Sequence, residues 1–377
     1  MTFLAVLFWL SALLIAYTHL GYPLALRLLT DTRRRSDRRP APSKELPTVS
    51  LIVAAFDEEE VIAGKVANAL ALDYPRERLE LIVASDGSGD ATAERARAAG
   101  ADLVLELPRR GKLAAQNAAA ERAVGEVLAF SDANSAWEEG ALRELVAAFA
   151  DPGVGYACGQ VRFLDPEGDN MEGAYWRYEM AVREMESSLA GITAGNGAIY
   201  AVRADDYLPL DPAGSHDLSF PFLLAKRGRR SLYVSAARAE EKMVPTLEGE
   251  WDRKRRMMVG LWDIVVGEGM ISPRGYRPLY AWELFSHRLL RYLTPFLHLV
   301  AFVTNLLLLG SGTLYVVTYG IQVAVIAAAL LGGSLPLAPL RFARYYWLTT
   351  LSIAAGLWDR FRHGRPAGAW EKAPGTR

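Results

Sequence analysis

The chain has one cysteine, Cys158, in 377 residues. That excludes an intrachain disulfide and any zinc site built from several thiolates. In its apolar, glycine-rich setting Cys158 reads as a small buried hydrophobe. An excess of either charge is also lacking: 42 Lys+Arg against 43 Asp+Glu leave a formal net charge of −1. The bulk electrostatic case for nucleic acid is therefore absent. No G-x-G-x-x-G follows the first predicted strand, and no G-x-x-x-x-G-K-[ST] occurs. A dinucleotide oxidoreductase and a P-loop ATPase both lose their phosphate cradles. A nucleotidyltransferase would need a Gly-rich triphosphate loop near the first strand, and Ala54-Ala55-Phe56-Asp57 has none.

What the chain does have is hydrophobicity collected at its two ends. Phe3 to Leu26 is almost wholly apolar, interrupted mainly by Thr18 and His19. It is long enough to cross ~30 Å of hydrocarbon as a helix. No basic stretch precedes it, and it is too long for the apolar part of a cleaved signal peptide. Arg33, Arg34, Arg35, Arg38 and Arg39 follow, which places the N-terminus outside and the next segment in the cytoplasm. Near the other end, Leu293 to Leu309 and Leu314 to Leu331 read as two spans joined by Gly310-Ser311-Gly312. Tyr345 to Leu357 is shorter. It either spans or lies in the interface, and the second reading, which keeps Arg360, Arg362 and Arg365 inside, is preferred. Leu279 to Tyr292 mixes Trp282, Leu284, Phe285, Leu289 and Leu290 with His287, Arg288 and Arg291. That pattern suits an interfacial helix or an ordinary helix packed on the central domain. The expected division is an anchor over 1–30, a basic linker over 31–46 and a central domain over 47–275. An interfacial helix over 276–292, spanning or re-entrant helices over 293–358 and a basic tail over 359–377 complete it.

The central domain alternates strand and helix. Thr48–Ala54, Leu79–Ala84, Asp102–Leu107 and Val127–Phe130 read as strands. Helices are expected from Glu58 to about Leu70, from Thr92, and from Lys112 to Val124. Apolar strands separated by single helices imply an α/β fold with a parallel sheet covered on both faces. Ligands then bind at the carboxyl ends of the strands. Those ends carry Asp57, Asp86 and Asp132, each after a different strand.

The sharpest feature is the turn Ser131-Asp132-Ala133-Asn134. Asp132 and Asn134 stand on the same side of an extended backbone. Two such oxygen ligands suit a hard divalent cation, Mg²⁺ or Mn²⁺, that keeps several waters and bridges to a diphosphate. The competing reading is an Asx turn that caps the next helix. Asp57 and Asp217 likewise carry a helix N-cap alternative.

In this order the residues resemble a family 2 inverting glycosyltransferase of the membrane-anchored kind, related to polysaccharide synthases. Val49 to Glu59 is similar to the family's first-strand signature, and Val83-Ala84-Ser85-Asp86-Gly87-Ser88 to its D-D-G-S turn, with Ser85 at the first acid. Arg110 to Asn117 resembles its G-K-x-x-A-x-N helix. Ser131 to Asn134 resembles its D-x-D site, with Asn134 in place of the second Asp. The resemblance implies a GT-A fold: a Rossmann-like mixed sheet with helices on both faces, flanked by transmembrane helices. It implies that Asp57, Glu58 and Asp86 face the nucleobase and ribose, and that Lys112 lies by the diphosphate. Asp132 and Asn134 would hold the metal. Asp217, in Gly214-Ser215-His216-Asp217-Leu218, matches the last acid of the T-E-D element and would be the general base, with His216 where an acid is usual. Asn196 and Gly197, within Ala194 to Tyr200, resemble the loop near the acceptor end of the sugar. Glu250 to Met257 occupies the place of Q-x-x-R-W: Arg253 stands for the Gln, Arg256 keeps the Arg, and Met257 replaces the Trp that stacks on sugar in processive synthases. The helix expected from Met171 to Leu189 carries Tyr175, Trp176 and Tyr178, for core packing or for stacking on a sugar or lipid.

The implied activity is metal-dependent transfer of a sugar from a nucleotide diphosphate-sugar, UDP-linked, to a lipid or glycan hydroxyl. The implied location is a bacterial inner membrane with the catalytic domain cytosolic. The alternatives are a processive synthase that extrudes its polymer, and a silent nucleotide-sugar-binding scaffold. Nucleic acid is not an expected partner.

Overall fold

The computed structural model describes residues 2–33, 45–164, 171–212, 214–242, 247–335 and 337–364. Most of the expected basic linker and tail lie outside them. The central domain is built on one eight-stranded sheet. Its strands are β1 (Val49–Ala55), β2 (Leu79–Asp86), β3 (Leu103–Leu107), β4 (Val127–Asp132), β5 (Ala136–Trp137), β6 (Val154–Leu164), β7 (Ile199–Arg203) and β8 (Arg230–Lys242). The order is β3-β2-β1-β4-β7-β6-β8-β5.

The β3-β2-β1-β4 half is parallel throughout, as the apolar strands and single helices imply. β1 is buried along its whole length, because helices cover both faces. The other half is partly antiparallel, as the mixed sheet implied by the resemblance requires, and unlike the all-parallel sheet implied by the strand pattern alone. β7 runs antiparallel to both β4 and β6, and β5 antiparallel to β8, so the sheet is mixed. Two of these strands hide from a hydrophobic-run reading. β6 carries internal glycines and slips register twice against β8. β8 is charged and Ala-rich, and buries only part of its residues, among them Ser231, Tyr233, Ala237 and Ala239.

The parallel strands all end on one side. Ala54 of β1 is level with Asp132, and Ala55 with Ser85. β1 has β2 on one flank and β4 on the other, so the connections reverse direction there. That crevice is where an open α/β sheet binds ligands.

Among the described residues three helices are long and apolar enough to cross a membrane: Thr2–Thr32, Pro278–Leu307 and Thr313–Leu331. The segment expected to lie separately over Leu279 to Tyr292 instead runs unbroken into the next helix, through a π-helical turn at Phe285–Leu289. A π-helical turn also interrupts the first helix, at Tyr17–Gly21. Tyr345 to Leu357 falls within the helix Ala338–His363. That helix packs on the helix Leu247–Val259, where a Cβ on Gly356 would stand 2.7 Å from the Met258 carbonyl carbon.

Candidate active site

The first corner of the site joins the turns after β1 and β2. Asp57 has φ +49°, a left-handed conformation that Asp tolerates better than most residues. Its carboxylate accepts the Gly89 N–H (2.7 Å), and its own N–H donates to the Ser88 hydroxyl (3.0 Å). The following helix opens only at Ile62, after Val61, so Asp57 cross-links two turns rather than capping a helix. Glu58 is buried, with its N–H on the Thr92 hydroxyl (2.7 Å). The Asp86 carboxylate accepts two backbone N–H groups, from Arg110 and Gly111, each at 2.8 Å. It thereby fixes the loop that leads into the helix Lys112–Ala120. On that loop the Arg109 guanidinium lies 3.6 Å from the centre of the Phe56 ring. Gly87 leaves no room for a side chain, because a Cβ there would meet the Arg109 nitrogen at 2.8 Å.

The second corner is the end of β4. Lys112 forms an ion pair with Asp132 and lies 3.5 Å from the Gly197 carbonyl. Burial pushes the Lys112 ammonium down, but Asp132, then Asp217 and Glu241, outweigh burial and raise it above its ordinary value. Beneath the turn sits a second lysine, which no sequence motif singles out. Lys65 is 4% exposed and donates to the Ser135 carbonyl (2.6 Å), next to the Trp137 ring. Asn68, on the same helix, donates to the Trp137 carbonyl and accepts its N–H, both at 2.9 Å. Trp137 in turn donates its indole N–H to the Ala198 carbonyl (3.0 Å). The turn bearing Asp132 and Asn134 is thus clamped from below and tied to the loop over Ala194 to Ala198.

Burial drives Lys65 down to about 7 from 10.5, with Asp132 and Glu241 resisting. The folded pKa is below the unfolded one, so across that interval the unfolded chain binds more protons. Stability relative to a Lys65→Met variant is therefore expected to rise with pH from about 7 towards 10.5, and to be flat below that window. Thermal midpoints of the two proteins compared across the interval check this.

The third corner is the start of the helix His216–Lys226. His216 Nε2 lies 2.6 Å from Asp217 Oδ1, and its ring stacks on Tyr200 at 5.1 Å. Burial raises the Asp217 carboxyl, but His216, then Lys112 and Arg183, pull it down to about 2. Asp217 is therefore ionised at any ordinary pH. Its backbone carbonyl accepts the Gly195 N–H (2.7 Å). Asn196 spends its amide on the fold: it donates to the Gly159 carbonyl (2.6 Å) and accepts the Ile199 N–H (3.0 Å). Arg183 was also not legible as a site residue. It is buried, and donates to the Gly195 carbonyl (3.2 Å); among the described residues its Nη1 has no hydrogen-bond partner.

Gly197 brings the second and third corners together. A Cβ there would stand 2.4 Å from His216 Nε2 and 3.1 Å from Lys112 Nζ. Gly197→Ala must push one of them away. It is expected to lower turnover by about 100-fold, the cost of roughly 1 Å of misplacement at a reacting centre, with the thermal midpoint changed little. Steady-state rates beside a melting curve check it.

Of the residues singled out from sequence, Lys112, Asp132, Gly197, His216 and Asp217 converge, and Asp57 and Asp86 lie in the turns beside them, Asp86 buried. Asn134 shares the Asp132 turn. Arg256 is exposed on the helix Leu247–Val259. Its neighbour Arg255 makes the two-pronged pair with Asp359, at 2.5 and 2.7 Å. The side chains of Arg253 and Tyr175 lie outside the described residues. Cys158 is fully buried, as expected, and burial raises its thiol to about 11.

Among the described residues no three His, Cys, Asp or Glu side chains group closely enough to cage a metal alone. The donors present are one carboxylate and one amide on a half-exposed turn, Asp132 and Asn134. That set fits a hard cation that completes its shell with water and substrate phosphate. The Lys112 ammonium already occupies cation space beside Asp132.

Residues 50–207 match the family profile described as Glycosyl transferase family 2. Curated relatives include the glycosyltransferase AglE of Haloferax volcanii, 28% identical over 180 residues, covering 46% of this chain and 58% of the relative. Another is the beta-monoglucosyldiacylglycerol synthase of Trichormus variabilis, 28% identical over 282 residues, covering 66% and 57%. The chain thus spans less than two thirds of the length of these relatives. In structure it is similar to the mannosyltransferase PcManGT of Pyrobaculum calidifontis, solved with GDP-Man and Mn²⁺. The TM-score is 0.72 at 22% identity, over 94% of this chain and 99% of that one. The shared architecture is the mixed-sheet GT-A fold with helices beyond it.

Proposed function

The chain carries a glycosyl transferase family 2 domain, and from it we propose that the protein is a membrane-bound inverting glycosyltransferase. It moves a sugar from a nucleoside diphosphate-sugar, UDP-linked, to a hydroxyl of a lipid or glycan. The observation that carries this reading is the meeting across Gly197 of two pairs, Lys112 with Asp132 and His216 with Asp217. One pair supplies positive charge for a departing diphosphate. The other supplies an ionised carboxylate for an acceptor proton.

The reaction follows from those two pairs. The acceptor hydroxyl gives its proton to Asp217 as its oxygen bonds to the anomeric carbon, from the face opposite the diphosphate. The bond from that carbon to the diphosphate oxygen breaks, and the electron pair leaves with the nucleoside diphosphate. Lys112 meets the new charge in a half-buried setting, where a fixed cation acts more strongly than in water. His216 and Arg183 hold Asp217 ionised. Phe56 with Arg109 over it, and Asp57 and Asp86 beside them, form the crevice for nucleobase and ribose. A divalent ion, held by Asp132 and Asn134, would add Lewis-acid stabilisation of the diphosphate.

The three long apolar helices support attachment to a membrane, and the arginines after the first support a cytosolic domain. The likeness to a diacylglycerol-sugar synthase supports a lipid acceptor. The testing experiment is nucleoside diphosphate release by the purified protein in nanodiscs. UDP-, GDP- and dTDP-sugars are each supplied with Mn²⁺ or Mg²⁺ and a membrane lipid extract. Release from one donor that needs both metal and lipid supports the reading. No release with any donor and either metal overturns it.

A further inference from the structure

The helix Met171–Leu189 carries ionised groups on one buried face. Glu179, Arg183 and Glu186 are all at most 8% exposed, and spacings of four and three place them in line. In the middle of this line Arg183 holds the Gly195 carbonyl (3.2 Å). Glu186 holds the residue two positions before: its carboxylate accepts the Thr193 N–H (3.3 Å) and hydroxyl (3.1 Å). These two side chains therefore fix the start of the loop whose Gly195 N–H bonds the Asp217 carbonyl.

The same Glu186 carboxylate is gripped from the other side by two apolar helices. Tyr22, on the first, donates its hydroxyl to Oε1 (2.6 Å). His287, on Pro278–Leu307, lies 2.7 Å from Oε1 through Nδ1. Arg288 donates to the Thr193 hydroxyl (2.9 Å), and Arg291 to Glu179 (2.5 Å). The grip falls where both helices leave α geometry. Tyr22 directly follows the π-helical turn Tyr17–Gly21, and His287 sits inside the turn Phe285–Leu289. The two turns touch through Tyr17, whose hydroxyl lies 2.9 Å from both the Ser286 hydroxyl and the Trp282 indole nitrogen. Such turns are frequent at functional sites.

A buried ionic network is a weak source of stability, because desolvation cancels most of the attraction. Its value lies in fixed geometry. We propose that Glu186 is a positioning residue that couples the two membrane helices to the active-site loop over Thr193 to Gly197, so that the packing of those helices sets the place of Asp217 and Gly197. This rests on the function proposed above for the loop, whereas the coupling itself can be read without turnover.

The test uses the full chain in nanodiscs, as wild type, Glu186→Gln, Glu186→Asp and Tyr22→Phe. Hydrogen exchange is followed in 190–198 and, as an internal control, in β1 and β4. The coupling predicts faster exchange in 190–198 for Glu186→Gln and for Tyr22→Phe, since the Tyr22 hydroxyl bonds Glu186 and not the loop itself, with β1 and β4 unchanged. Nucleoside diphosphate release with UDP-glucose and GDP-mannose is measured in parallel. For Glu186→Gln, kcat is expected to fall about 10- to 100-fold with the donor KM held, and Glu186→Asp is expected to recover part of it. Unchanged exchange in 190–198 for both Glu186→Gln and Tyr22→Phe overturns the coupling, as does acceleration spread evenly over β1 and β4. A wild type that releases no nucleotide overturns the proposed function instead, and exchange alone then decides the coupling.

Discussion

Asp217→Asn is expected to lower sugar transfer by about 10²- to 10⁴-fold, the usual contribution of a positioned general base. The amide keeps the shape of the carboxylate but cannot take the acceptor proton. The Gly195 N–H bonds the Asp217 backbone carbonyl, so the loop keeps its anchor in the variant. Lys112 and Asp132 keep their pairing, so nucleoside diphosphate binding is expected to survive. Calorimetric titration with UDP or GDP beside steady-state transfer separates the two effects. The substitution also leaves His216 and Arg183 without the charge they face, which costs stability; a melting curve shows whether the fold is kept. A variant that turns over like the wild type would remove Asp217 as base. The pH profile adds a second constraint. With its carboxyl near 2, Asp217 is ionised throughout the working range, so an acid limb at about pH 5 to 7 must come from another group, histidine foremost. His216→Gln removes the largest downward pull on Asp217, and the Asp217 carboxyl is expected to rise towards its ordinary range.

The parallel half of the sheet was legible because its strands are short apolar runs ended by acids. Those acids mark one edge of the fold, and that edge carries the candidate site. The antiparallel half was not, since β6 is broken by glycines and β8 reads as a charged, Ala-rich stretch. The residues proposed to do chemistry at a turn announce themselves by type and spacing, as Asp132, Lys112 and Asp217 do. Those that hold the turns do not. Lys65 and Asn68 look like ordinary helix residues until Trp137, distant in sequence, lands on them. Arg183 and Glu186 look like the polar face of an amphipathic helix, and only the packed membrane helices show that face to be buried. Asp57 and Asn196 stood out as candidate site residues, but the backbone bonds that each of them makes were not legible. A linear pattern records which groups are present; which of them are desolvated depends on contacts between segments far apart in the chain.

Lys112→Met is the second large effect. It is expected to lower turnover by about 10²- to 10³-fold, the range for removing one donor aimed at developing charge. The ammonium is held between Asp132 and the Gly197 carbonyl, so it is pre-placed and pays no reorganisation as the diphosphate departs. A guanidinium is broader and flat, and Lys112→Arg is expected to recover little of the loss. The same substitution has an opposite effect on the metal. Lys112 competes for Asp132, and two like charges beside one carboxylate repel, so Mn²⁺ with UDP is expected to bind more tightly to Lys112→Met than to the wild type. Asp132→Ala removes the carboxylate that both cations share. It is expected to weaken Mn²⁺ binding and transfer together, and adding Lys112→Met to it should cost much less than Lys112→Met alone. Manganese titration followed by magnetic resonance, with transfer rates on the same four proteins, checks the cycle. Fully additive losses would mean that lysine and metal act at separate places, and the shared-carboxylate arrangement would have to be given up.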